Sequence, residues 1–165
     1  DVCSIISRDY SLFMDESGKA RADAYASISR VNSLTGLPKG VNFSVEGYCS
    51  EIYSYTSFLV KYFGMILESA SLLDAERDCY KNKMFKLLNE LNLEDALNRD
   101  ILNTESELVF ANGNTIAQLK LGGKAFSGIE ISLPSLGYID VIPKTQLGLT
   151  GALMITEQVL NGLMF

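Results

Sequence analysis

The chain has 165 residues, 47% of them hydrophobic, with no histidine and no tryptophan. Lacking histidine, it lacks the commonest general base, the commonest metal ligand and the usual partner of a Ser or Cys nucleophile. Its 14 basic and 20 acidic residues give a net charge of −6 and a pI near 4.7. That balance disfavours broad binding to nucleic-acid phosphates or to anionic membranes.

Residues 1–16 mark no clear element, although Ile5, Ile6, Tyr10, Leu12 and Phe13 supply one short apolar face. Alanines at 20, 22, 24 and 26, with Tyr25, Ile28 and Val31 as a thin stripe, predict a peripheral helix over 17–31. Residues 32–44 gather Asn32, Ser33, Gly36, Pro38 and Gly40 and read as a loop. Its Gly36–Gly40 run lacks the spacing and the preceding strand of a phosphate loop. From Tyr48 through Ile52, Tyr55, Leu59, Tyr62 and Ile66 to Leu73, apolar residues recur in alternating steps of four and three. This heptad seam predicts one long helix over 44–73. Phe58, Phe63, Met65, Leu67 and Leu72 lie off the seam, so the helix would be buried on more than one side. Gly47 and Gly64 would weaken it or mark a close crossing.

A second helix is expected over 75–91, with Asp74 as its cap and Tyr80, Met84, Leu87, Leu88 and Leu91 as its stripe. A short third helix over 93–102 would be capped by Asn92. Beyond Thr104 the pattern changes. Segments 107–111 and 115–121 flank Asn112-Gly113-Asn114, a turn signal that predicts a β-hairpin. Segments 126–133 and 138–142 read as further strands, with Pro134 and Pro143 as punctuation, and 150–165 as a closing amphipathic helix.

The predicted fold class is therefore α+β: an N-terminal helical hairpin or small bundle, an antiparallel β segment of three to four strands, and a C-terminal helix. One domain, 1–165, is expected, with 1–103 mainly helical and 104–165 β-rich. No stretch reaches the roughly 18 uninterrupted apolar residues of a membrane span. The longest candidates, 58–60 and 62–67, are split by Lys61 and closed by Glu68. No signal peptide is visible, but the chain begins at Asp1 and not Met, as a processed product or excised fragment would. The compartment stays open on these grounds, with the cytoplasm favoured and export as the alternative.

Catalytic and metal chemistry find little support. Cys3, Cys49 and Cys79 are odd in number and form no C-x-x-C, so neither zinc nor a structural disulfide is expected. Arg77, Lys81 and Lys83 flank Cys79 at spacings that do not face it on a helix. With Lys86 they form a local basic patch, the one feature that speaks for nucleic acid. Ser57 and Lys61 stand four apart without the S-x-x-K spacing of acyl-transfer families. Carboxylates are scattered outside any calcium-loop pattern, and Gly122-Gly123-Lys124 reads as a flexible β connection. No catalytic, metal or cofactor-binding residue is expected.

Tyrosines crowd the predicted long helix, and the chain ends in large apolar residues. Interface candidates are Tyr48, Ile52, Tyr55, Leu59, Tyr62, Leu163, Met164 and Phe165. The expected function is that of a non-enzymatic structural or adaptor protein working through self-assembly or docking to a protein partner. The alternative is a small enzyme or ligand-binding domain with a Tyr-lined pocket and no histidine-dependent chemistry.

Overall fold

A computed structural model describes residues 9–73, 80–137 and 145–164. Helix α1 (Tyr10–Thr35) leads into strand β1 (Asn42–Gly47). Helix α2 (Cys49–Phe58) follows, prolonged by a π-helical turn at Leu59–Phe63, and then strand β2 (Ile66–Leu72). Helix α3 (Lys81–Glu90) and two 3₁₀ turns, Glu94–Asn98 and Ile101–Asn103, carry the chain to strand β3 (Leu108–Asn112). Helix α4 (Gly113–Leu121), strand β4 (Ser127–Ser132) and helix α5 (Gly148–Met164) complete it.

The strands form one four-stranded sheet in the order β2-β1-β3-β4, and every pairing is parallel. The class is α/β, which corrects the expected antiparallel β segment and the expected helical bundle. Parallel neighbours need crossovers, and α2 and α4 supply them between β1 and β2 and between β3 and β4.

Two misread signals account for the difference. The heptad-like seam over 44–73 is not one helix. Residues 42–47 alternate Phe43 and Val45 with Asn42, Ser44 and Glu46, which is a strand period. Gly64, at φ 66°, stops the helix that follows, in the left-handed conformation glycine adopts without cost. The second signal is Asn112-Gly113. Asn112 has extended backbone, and its side chain accepts a hydrogen bond from Thr115 N at 3.1 Å. It is the N-cap of α4 and not the first residue of a hairpin turn. The expected strand over 115–121 is accordingly a helix.

Other expectations fare variously. The helix at 17–31 lies within a longer α1, and a closing helix is present. Residues 127–132 are extended, but pair in parallel. Asn92 is a left-handed residue beyond α3, at φ 55°, and the segment after it forms 3₁₀ turns. Gly122 closes the end of α4, where a β connection was expected. The expected strand at 138–142 and the Asp74 cap lie outside the described residues.

The two faces of the sheet differ in chemistry. Phe43, Val45, Leu108, Phe110 and Ile129 turn to one face and are at most 1% exposed. There they meet Cys49 and Ile52 of α2, Leu59 of the π-helical turn, Met84 and Leu88 of α3, and Ile155 and Val159 of α5. Each large side chain so buried stabilises the fold by about 1.5–3 kcal/mol. The opposite face carries a small apolar cluster of Ile101, Val109, Ala111 and Leu119, beside the buried polar residues Ser44, Glu46, Thr104, Ser106 and Thr115. Ser44 Oγ lies 2.7 Å from Ser106 Oγ, and Ser106 Oγ donates to Glu68 Oε2 at 2.6 Å. Hydrogen bonding thus compensates the burial of this polar seam.

Candidate functional site

Strand order reverses between β1 and β3. Ligands of open α/β sheets bind outside the carboxyl ends of the strands at such a point. On the polar face this crevice is occupied by the chain's own groups. Glu46, at the end of β1 and 8% exposed, accepts hydrogen bonds from Asn112 Nδ2 and from Thr115 Oγ1, the latter at 2.8 Å. The contact ties β1 to the cap of α4 across 66 residues of sequence. Gly113 is pressed against the segment after β4. Its N–H donates to Pro134 O at 2.7 Å, and a Cβ there would stand 2.5 Å from Leu136 N. Glu130 holds that segment by accepting from Ser135 Oγ and from the Gly137 N–H at 2.7 Å.

On the apolar face the same end of the sheet stays open. A cleft of about 370 Å³ runs between α2 and the start of α5. Ser50, Glu51, Ser54, Tyr55 and Phe58 line one wall, and Gln146, Gly148 and Ile155 lie on the other. Its volume is that of sites that take small ligands. Glu51 is fixed at its base, because one carboxylate oxygen accepts the Tyr48 N–H at 2.8 Å and so caps α2. The Tyr55 ring packs on Phe110 at 5.4 Å between centroids, and its hydroxyl donates to Gln146 Oε1 at 3.2 Å. Burial, and secondly the Glu51 charge, push the Tyr55 hydroxyl up to about 12 from its ordinary value near 10. Among the described residues, no three His, Cys, Asp or Glu side chains gather as metal ligands, and no helix is long and apolar enough to cross a membrane.

The expected interface residues are dispersed. Ile52 and Leu59 are fully buried in the core, and Tyr55 lines the cleft. Tyr48 and Tyr62 are exposed at 49% and 45%. Leu163 packs partly buried against the core, Met164 is exposed, and Phe165 lies outside the described residues. Lys61 is exposed and Ser57 half-buried. Lys124 donates to Thr104 O at 2.6 Å. Cys49 is a buried thiol of the core, while Cys3, Cys79 and Arg77 are outside the described residues. The sequence reading missed Glu46, Glu51, Asn112, Thr115 and Gln146. Two of their signals were visible, a Glu three residues after Tyr48 and a Thr three after Asn112, both of helix-start spacing.

An open, parallel α/β sheet with helices on both faces defines the class of protein. Among solved structures, a chain of nitrogenase Cp1 at pH 6.5 has the same fold, with a TM-score of 0.70 over 98% of this chain at 14% identity. This chain spans 35% of that neighbour's length, so the likeness covers one part of a longer protein. No protein-family model and no curated protein sequence matches the chain.

Proposed function

We propose that the chain is a docking module, a structural or adaptor unit that works against another protein surface, as one fold unit of a larger nitrogenase-like assembly. The observation that carries this is α1. Over 26 residues it buries none of them. Its inward stripe of Ser17, Ala20, Ala24, Ile28 and Val31 is only half-buried. The stripe continues in steps of three and four through Phe13 and Tyr10, which are 44% and 57% exposed. A helix gains most of its stability from packing an apolar face, so an uncovered extension with two aromatics suits a partner. The neighbour's fold, present there as one part of a longer chain, supports the same reading.

The test is sedimentation velocity of the purified chain at micromolar concentration, alone and with its natural partners. Wild type should sediment faster than an 18.1 kDa protomer in at least one condition. The double variant Tyr10→Glu, Phe13→Glu should remain a protomer with an unchanged melting temperature. A wild-type monomer in both conditions would end the docking reading.

A second reading, a ligand-binding domain, is favoured by one specific observation: the Tyr55-lined cleft at the carboxyl end of the sheet.

A further inference from the structure

Glu51 is the charged residue lining the α2–α5 cleft. Its Oε2 takes the Tyr48 N–H, while no described residue donates to its Oε1. Nor does a described Lys or Arg pair with it; the ion pair among the described residues joins Lys86 to Glu90 on α3. The rest of the wall is aromatic or small: Tyr55, Phe58, Ala152 and Ile155, with Gly151 bringing the α5 backbone close. A half-buried carboxylate beside two aromatic rings is the arrangement that recognises a cation on an apolar body. The carboxylate supplies a charge-assisted hydrogen bond, and the aromatic wall takes the apolar body. The start of α5 also borders the cleft and by itself would favour an anion. Glu51 outweighs it, because a full charge at hydrogen-bond range exceeds the partial charge of a helix end.

We propose that this cleft binds a small organic cation with a flat apolar body, its charged head on Glu51 and its body between Tyr55, Phe58 and Ile155. The proposal rests on the ligand-binding reading above and adds the charge and shape of the ligand. A low-dielectric wall also fits the direction of the Tyr55 shift, since burial is its larger cause.

Three probes of one shape and different charge make the test: benzamidine, benzamide and benzoate, titrated into the full chain and followed by amide chemical shifts. Benzamidine should perturb residues 50–58 and 146–155 saturably and bind about tenfold more tightly than benzamide, with benzoate weakest. Glu51→Gln keeps the acceptor that caps α2 and removes the charge, so it should abolish the preference for benzamidine while the fold persists. Ala152→Leu should fill the cleft and abolish binding of all three probes. Tighter binding of benzamide or benzoate, or a benzamidine preference that survives Glu51→Gln, would overturn the cation while leaving a ligand-binding cleft. Absence of saturable shifts with every probe would overturn both the cation and the ligand-binding reading.

Discussion

Tyr55 and Glu46 show how little of a site's character belongs to residue type. As a sequence position, Tyr55 is one tyrosine among eight. In the fold it stands on Phe110, bonds Gln146 across 91 residues of sequence and faces the Glu51 charge. Its folded-state pKa of about 12 exceeds the ordinary 10, so the neutral phenol is the form the fold prefers. The stabilising effect is complete below pH 10, where folded and unfolded chains both hold the proton. It is lost as pH rises from 10 through 12, where the unfolded chain ionises first. Chemical denaturation across this range should therefore show stability falling with pH, and Tyr55→Phe should make the fall shallower. A fall of equal steepness in the variant would assign the alkaline loss to other groups. Glu46 has the opposite history. Its pattern resembles any acidic residue on a surface, yet it is buried because Asn112 and Thr115 donate to it. Those partners come from another strand and helix, and no local pattern around Glu46 announces them.

Elements were legible where one period governed them and illegible where two periods overlapped. The alanines at 20, 22, 24 and 26 with Ile28 and Val31 announce α1, and Leu153, Met154, Val159, Leu160, Leu163 and Met164 announce α5. Over 44–73 a strand, a helix and a second strand happen to place apolar residues in register with a heptad. The two glycines there are boundaries: Gly47 closes β1 and Gly64 ends the helical run. Asn112-Gly113 carries a similar lesson. Its glycine is required by close approach of the chain after β4, and its φ is not positive. Gly113→Ala should push the 133–137 segment away, at a cost of about 1–3 kcal/mol. Limited proteolysis should then cut that segment faster than in wild type. An alanine variant with wild-type stability and cleavage would show that the segment yields without loss.

At the scale of the molecule, the sheet is organised from its middle. β1 and β3 each have a strand on both sides, whereas β2 and β4 have one neighbour among the described residues. They also carry Phe43, Val45, Leu108 and Phe110, all fully buried in the core. Amide hydrogens of β1 and β3 should therefore exchange more slowly than those of β2 and β4, by about tenfold or more. Equal protection across the four strands would mean that the sheet opens only as a whole. The central pairing Phe43↔Leu108 joins residues far apart in sequence, so β1 can meet β3 only after α2, β2 and α3 have been laid down.

By itself the sequence determined what the chain is poor in. It has no histidine, few cysteines and no net positive charge, and these follow from composition without geometry. It also determined the apolar periodicity of α1 and α5, because a helix face is written within a few residues of itself. Tertiary structure alone decided the direction of the strands, since β1 and β4 alternate polar and apolar residues and lack the continuous apolar run that marks a parallel strand. It decided as well which carboxylates meet partners and which line a cleft. Glu46 gains Asn112 and Thr115, and Glu51 comes to face the start of α5, only when the crossovers bring distant segments to one end of the sheet.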